Sequence, residues 1–209
     1  MGKFLLAPFS FSELNKDMNH ALARKINLMA KRDLSFQKLV WDKVDGADEA
    51  AYQKITDKNT EKLKKIVKEH GWPTVALVGK KASYNAWLIA QHSNNDRAFQ
   101  RKARGMLIKI NKSNPGEINK AHIAYLMDRL LIAQGKPQKF GTQFKFNKKG
   151  ELKVRQIKNR RGVDALRNKY NLPPLKDFID SAKEFEEGLK KKGIKHQKNS
   201  HSPHRADNT

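Results

Sequence analysis

The sequence contains no cysteine. Disulfide bonds, a thiolate nucleophile, zinc–thiolate centres and iron–sulfur clusters are therefore excluded. Long apolar runs are also absent: a stretch such as Thr74 to Val78 falls far short of the roughly 20 residues that cross a bilayer. The sequence therefore predicts no transmembrane helix. Residues 1–11 lack the long hydrophobic segment of a signal peptide, and we interpret them as part of the mature protein.

Acidic residues are scarce. The 209-residue chain has 21 Asp and Glu against 44 Lys and Arg, which gives a formal net charge of +23. The excess is concentrated between Lys136 and Lys169 and in the last twenty residues. Such a field attracts phosphate backbones or anionic surfaces, although a merely solvated basic face has the same composition. The residues proposed to contact a nucleic acid or other polyanion are Lys145, Lys148, Lys149, Lys153, Arg155, Lys158, Arg160 and Arg161.

Apolar residues make up 38% of the chain and include ten Phe and three Trp, which is enough for a core. Their spacing is mostly helical. We predict a mainly α, compact multi-helix domain over residues 11–189, preceded by an N-terminal segment (1–10) and followed by a disordered basic tail (190–209). The predicted helices cover residues 12–40, 56–71, 82–91, 97–110, 114–135, 164–170 and 175–189.

Several local signals predict element boundaries. Thr56 or Asp57 is a candidate cap for the second helix. Asn114, Pro115 and Glu117 have the cap, first-turn proline and acid that typically begin a helix. After Gly135 the period changes to two, because Phe144, Phe146, Leu152 and Val154 alternate around a turn at residues 147–150. This pattern predicts a β-hairpin at about residues 143–156.

His92 is the first candidate for chemistry. It follows Gln91 at the end of a predicted buried helix, and Asp96 lies four residues further on, on the same face if the helix continues. A carboxylate beside an imidazole fixes which ring nitrogen carries the proton, as a general base requires, and the same pair can bind a divalent metal. Alternatively, Asp96 only caps the next helix and His92 braces a helix junction.

Two further polar groups lie nearby in the sequence. Asp128 and Arg129 interrupt an apolar helix. Either they take part in an internal ion pair, or the planar guanidinium of Arg129 binds a carboxylate or phosphate of a ligand. The loop at 137–143 is rich in amide and hydroxyl groups and contains Gly141, which permits close backbone approach. It suits recognition of a polar ligand, or its side chains bond the loop's own backbone.

The familiar catalytic signatures are absent. The sequence has no HExxH, GxSxG or GxGxxG motif, no phosphate loop and no zinc-finger or RNA-recognition pattern. Three histidines in the tail, His196, His201 and His204, fit a hydrophilic tail better than a metal site. The sequence indicates no specific cofactor, and we predict no metal site.

An ordered set of motifs gives a resemblance. The motifs are His70-Gly71-Trp72-Pro73-Thr74, Leu77-Val78-Gly79, Ala86-Trp87-Leu88, Gln91-His92, Asp96, Phe99-Gln100, Ala124-Tyr125-Leu126-x-Asp128-Arg129, Gln138, Gly141-Thr142-Gln143, Val163-Asp164-x-x-Arg167 and Leu172-Pro173-x-Leu175. The chain from about Leu22 to Phe178 resembles an uncharacterised, chiefly bacterial domain family. That family has no established activity, so the resemblance implies a domain and a residue set.

The polar signature of that family falls here on Gln91, His92, Asp96, Gln100, Asp128, Arg129, Gln138, Thr142 and Gln143. The resemblance implies that these side chains converge on one pocket. We assign catalytic roles to His92, Asp96 and Asp128, and substrate binding to Gln91, Arg129, Gln138, Thr142 and Gln143. The chain departs from the family at Asn94, commonly an acid, at Phe140, usually a tyrosine, and at Leu34, where Gln usually follows the residue equivalent to Asp33.

Three functions compete. The first is a small-molecule or protein-modifying enzyme, a hydrolase or transferase, with His92 as general base and Asp96 or Asp128 orienting it. The second is a nucleic-acid or anion-binding module, in which Phe144 and Phe146 stack bases if they face outward. The third is a cytoplasmic protein exported as an effector, because Glu184, Glu186 and Glu187 before a basic tail are similar to type IV secretion signals of intracellular bacteria.

Overall fold

A computed structural model describes residues 18–41, 49–147 and 151–191. Mainly helical structure with one small hairpin is confirmed over these ranges, and helices account for 69% of the structure. The predicted N-terminal segment and most of the predicted tail lie outside the described residues. The elements are α1 His20–Trp41, α2 Glu49–His70, α3 Val75–His92, α4 Arg97–Ser113, α5 Ala121–Ala133, β1 Phe144–Phe146, β2 Leu152–Val154, α6 Val163–Asn168 and α7 Leu175–Lys191.

Helix α3 lies at the centre of the fold. It packs against α1, α2, α4 and α5, and the five residues 86–90 are each at most 2% exposed. Ile26 of α1, Leu63 of α2 and Leu107 of α4 belong to the same hydrophobic core. Burial of each such side chain contributes about 1.5–3 kcal/mol. The core therefore fixes the C-terminal end of α3, where Gln91 and His92 lie.

Two helices begin earlier than predicted. Helix α2 begins at Glu49, so Thr56 is an internal residue whose hydroxyl donates to the carbonyl of Gln53 (2.8 Å). Helix α3 begins at Val75, where the Thr74 side chain accepts a hydrogen bond from the Leu77 amide. It passes through Gly79, whose φ of 79° and ψ of 162° interrupt the helix. Glycine is needed there because a side chain at that φ is strained and its Cβ would lie 3.1 Å from Met18 Sδ.

The predicted helix start at Asn114 is wrong. Asn114 is the C-cap of α4, and α5 begins at Ala121, whose amide donates to Asn119 Oδ1 (2.9 Å). Glu117, the acidic residue of this motif, does lie at the positive end of a helix, but that helix is α3. Glu117 Oε2 accepts from the Ala76 amide (2.8 Å), and its carbonyl accepts from Val75 (2.9 Å). Residues 114–120 therefore cap the helix that ends in His92.

The hairpin is confirmed. Strands β1 and β2 are antiparallel, with Phe144 opposite Val154 and Phe146 opposite Leu152. Phe144 and Leu152 are buried, which is the expected alternation. The tip at residues 148–150 lies outside the described ranges. None of the helices in the described parts of the chain is both long and apolar enough to cross a bilayer.

Candidate functional site

His92 is paired with a carboxylate, and that carboxylate belongs to Asp33 of α1. The distance from His92 Nδ1 to Asp33 Oδ2 is 2.6 Å, and the two side chains are 5% and 1% exposed. A carboxylate oxygen can only accept a hydrogen bond, so His92 Nδ1 carries the proton in this contact, and Nε2 is the nitrogen of the ring that can act as an acceptor. The other oxygen, Asp33 Oδ1, is enclosed and has no hydrogen-bond partner.

A phenol from α2 approaches the same ring. Tyr52 Oη lies 3.5 Å from His92 Nδ1. Tyr52 was not among the predicted site residues, because the predicted start of α2 lies after it. Asp33 was recognised only as part of a family motif, although its position seven residues after Ile26, on the buried face of α1, was a signal.

Two arginines lie beside this pair and share one acceptor. Arg129 of α5 and Arg97 of α4 both donate from Nη1 to Asn94 Oδ1, at 3.0 Å and 3.4 Å. Arg97 also donates to Gln100 Oε1 (2.8 Å). Burial, together with the positive charge of Arg97, lowers the pKa of Arg129 to about 10, and Tyr52 acts in the opposite direction. The shared Asn94 oxygen places the two guanidinium groups close to one another.

Gln91 is fully buried, and neither atom of its side-chain amide has a hydrogen-bond partner. Its backbone carbonyl accepts from Gln100 Nε2 (3.0 Å). An enclosed amide without partners costs about 1–3 kcal/mol. Gln91 is therefore not used to brace the backbone, in contrast to the polar residues described next.

Asp96 does not contact the His92 ring, contrary to the expected pairing. Its Oδ1 accepts from the Phe99 amide (2.8 Å) at the start of α4, and its Oδ2 accepts from Lys64 Nζ (3.0 Å). Burial tends to raise the pKa of Asp96, but the bonds from Phe99 and Lys64 outweigh it and hold that pKa below its ordinary value. Asp96 is the N-cap of α4.

Asp128 also has a role other than orienting His92. It accepts hydrogen bonds from the amides of Lys139 (2.7 Å), Phe140 (3.1 Å) and Thr142 (3.0 Å), and from the Thr142 hydroxyl (3.0 Å). Its side chain is completely buried. Burial raises the pKa of Asp128, whereas the hydrogen bonds that it accepts act against that shift. The carboxylate anchors the 139–142 loop to α5.

The amides of the loop bind the loop itself. Gln138 Nε2 donates to the carbonyls of Gln143 (3.0 Å) and Arg155 (2.8 Å), and Gln138 Oε1 accepts from the Gln143 amide (2.9 Å). Gln143 Nε2 donates to Thr142 Oγ1 (3.1 Å). A Cβ on Gly141 would lie 2.7 Å from Leu175 Cδ1, so this glycine permits protein packing rather than approach of a ligand.

Apart from Asp96, which caps α4, the predicted polar set divides into two groups. Gln91, His92, Gln100 and Arg129 lie around the end of α3, where Asp33, Tyr52, Asn94 and Arg97 join them. We call these eight residues the His92 cluster. Asp128, Gln138, Thr142 and Gln143 brace the loop, and none of their hydrogen bonds reaches His92. The expected convergence of both groups on one pocket is not found.

The basic residues of the hairpin region are mostly exposed. Lys145, Lys153, Lys158, Arg160 and Arg161 face solvent, whereas Arg155 donates from Nε to the Phe144 carbonyl (3.0 Å). Lys148 and Lys149 lie outside the described residues. Phe144 faces inward, with its ring 5.4 Å from that of Phe178, so it cannot stack a base. Glu186 of the supposed export signal is also buried.

A separate cavity of about 230 Å³ lies beside His122 of α5. The His122 ring stacks on Trp87 at 4.0 Å, and Tyr125, Phe178 and Phe185 also line the space. Burial lowers the pKa of His122 to about 3. The ring is therefore neutral at physiological pH and packs as an aromatic side chain.

This burial predicts acid sensitivity. Between pH 6.5 and pH 3 the unfolded chain protonates His122 and the folded chain does not, so stability is complete above this window and falls as the pH falls. Replacing His122→Phe should reduce the loss of unfolding free energy between about pH 7 and pH 5 by about 2 kcal/mol. Urea unfolding at both pH values measures this difference in unfolding free energy. The exposed-site variant His70→Gln should behave as wild type, and an unchanged pH slope in His122→Phe would contradict the assignment.

Metal binding finds no support in the described parts of the chain, where no three His, Asp or Glu side chains are grouped as a metal requires. The His92 cluster supplies one imidazole and one carboxylate. What the cluster can do is accept a proton at His92 Nε2 and stabilise the imidazolium that forms.

Comparison with known proteins identifies a family but no function. No curated protein and no solved structure matches the chain. A family model, described as a family of unknown function (DUF6624), matches residues 26–192. That range includes Asp33 and every other residue of the His92 cluster. The chain therefore belongs to DUF6624, a family whose function is unknown.

Proposed function

We propose that the protein is an enzyme of the hydrolase or transferase type in which His92 is the general base. The observation that carries the proposal is the 2.6 Å contact between His92 Nδ1 and Asp33 in a nearly enclosed environment. It leaves Nε2 as the acceptor atom and places a negative charge behind the ring. General-base catalysis needs both features.

The order of the proposed reaction steps follows from this arrangement. His92 Nε2 accepts the proton of a water molecule or a substrate hydroxyl as that oxygen attacks the substrate. Asp33 stabilises the imidazolium, and His92 then returns the proton to the leaving group. Gln91 and Arg129 are the candidates for substrate binding, since the Gln91 amide and Arg129 Nε are enclosed without partners.

Asp96, Asp128, Gln138, Thr142 and Gln143 are not part of the proposed mechanism. Each forms hydrogen bonds that hold a helix start or the 139–142 loop. Their contribution to activity is indirect, through the position of α4 and α5. The proposal thus depends on fewer residues than the sequence predicted, and on one carboxylate that it did not assign.

Turnover of model substrates tests the proposal. With a panel of p-nitrophenyl esters and phosphate mono- and diesters, wild type should hydrolyse at least one class, and His92→Gln should lower that rate roughly 10²–10⁴-fold. His70→Gln, which changes an exposed histidine, is the matched control. Circular dichroism checks that each variant folds. Equal rates for wild type and His92→Gln, or no turnover of any class, would contradict the proposal.

A further inference from the structure

We propose that Arg97 and Arg129 bind a phosphate group of the substrate, with Asn94 fixing the two guanidinium groups in place. That this phosphate belongs to the molecule on which His92 acts rests on the proposed function. The binding site itself rests on separate observations about charge and burial.

The first observation is that Arg129 is buried and that no described residue provides it with a counter-charge. Its side chain is 3% exposed, and its Nε is enclosed with no hydrogen-bond partner. Its Nη1 bonds to a neutral amide oxygen of Asn94 (3.0 Å). Among the described residues, no carboxylate lies within ion-pair distance of its guanidinium. A buried cation without a partner is strongly destabilising.

Arg167 provides the internal comparison. It is also fully buried, and its Nη2 is likewise enclosed without a hydrogen-bond partner. However, Arg167 donates to two backbone carbonyls, those of Phe140 and Pro173, both at 2.6 Å. The negative charges of Asp164 and Asp128 act on it favourably. Arg167 is therefore a compensated structural arginine. Among the described residues Arg129 lacks this compensation, and we infer that a bound anion supplies it.

The second observation is that a second cation is placed beside the first. Arg97 shares the Asn94 oxygen with Arg129, and its other acceptor is the neutral amide of Gln100. The carboxylate nearest in sequence, Asp96, is bonded to Lys64 and to the Phe99 amide. Two guanidinium groups are therefore adjacent, and neither forms an ion pair with an acidic residue in the part of the chain that the structure describes.

The charge balance favours phosphate over a carboxylate. One carboxylate neutralises one guanidinium through two parallel hydrogen bonds. A phosphate dianion neutralises two guanidinium groups, and its three free oxygens can accept hydrogen bonds from the N–H groups of both. Arg97 is only half-buried, so an anion from solvent can reach the two guanidinium groups at Arg97. The Asn94 residue follows His92 by two positions, which places the phosphate next to the proposed base.

Binding of inorganic phosphate to the full chain tests the site without requiring turnover. Calorimetry should detect phosphate binding to wild type, with roughly 10- to 100-fold weaker binding in Arg97→Met. Asn94→Asp should weaken binding similarly while keeping both arginines, because the added carboxylate neutralises them internally. Arg101→Met, which removes an exposed cation from the same helix, should bind as wild type. Acetate should bind wild type more weakly than phosphate.

Each alternative result is decisive. Phosphate binding that is unchanged in both Arg97→Met and Asn94→Asp would overturn the site and indicate binding elsewhere, such as the basic hairpin. No binding to wild type, or acetate binding as tightly as phosphate, would also overturn it. His92→Gln should retain phosphate binding. If His92-dependent turnover occurs without phosphate binding, this inference fails while the proposed function stands; the converse result rejects only the role of His92.

Discussion

Replacing Asp128→Ala should lower the free energy of unfolding by about 3–5 kcal/mol. The substitution removes the acceptor of hydrogen bonds from four donor groups and leaves the amides of Lys139, Phe140 and Thr142 without a partner in a buried site. Each orphaned donor costs about 1–3 kcal/mol, and relaxation of the loop recovers part of the sum. Urea unfolding followed by circular dichroism gives the value.

The control for this change is Asp180→Ala. Asp180 is an exposed residue of α7 that pairs with Lys176 at 2.8 Å, and removing such a pair should leave the urea midpoint unchanged. Asp128→Asn is a second variant, because it keeps one acceptor oxygen but directs an NH₂ group at donors. We expect an intermediate loss of stability. An Asp128→Ala protein as stable as the Asp180→Ala protein would contradict the bracing role of Asp128.

Replacing Asp33→Asn should lower turnover roughly 10³–10⁴-fold with little change in binding of the substrate. The asparagine amide donates to His92 Nδ1 instead of accepting from it. The ring then carries its proton on Nε2, where the proposed mechanism needs a free lone pair. The effect is therefore chemical, since the shape of the side chain is retained.

Nitrogen-15 NMR of labelled histidine tests the same point without a substrate. Wild type should show His92 protonated at Nδ1, and Asp33→Asn should show the ring protonated at Nε2. Asp57→Asn, which alters a carboxylate on the surface of α2 bonded to Gln53 and Asn95, should leave the tautomer and the rate unchanged. A wild-type ring protonated at Nε2 would remove the basis of the proposed mechanism.

The fold was largely predictable because its helices carry long apolar stripes. The hairpin was predictable as well, since four apolar residues alternate around a short turn. Helix starts were less predictable. Residue Glu49 begins α2 seven residues before the expected cap, and Asn114 ends a helix instead of beginning one. In both cases packing against neighbouring helices outweighs a local capping signal.

The candidate site was predictable only in part. The sequence singled out His92, and its catalytic role stays a prediction. Its partner Asp33 lies 59 residues earlier in the sequence, so no local spacing rule connects them. For the loop at 137–143 the residues were identified from the sequence, but their role could not be predicted. Amides that recognise a ligand and amides that brace their own backbone are the same chemical groups, and only the observed contacts of Gln138 and Gln143 distinguish them.

Asp128 and Arg129 are neighbours on α5, yet one serves the loop and the other serves the His92 cluster. Both side chains project from adjacent positions of one helix, although none of their hydrogen bonds joins the two places. We therefore expect a substitution that displaces the 139–142 loop to shift α5 and, with it, Arg129. Variants of the loop should be tested for phosphate binding as well as for stability.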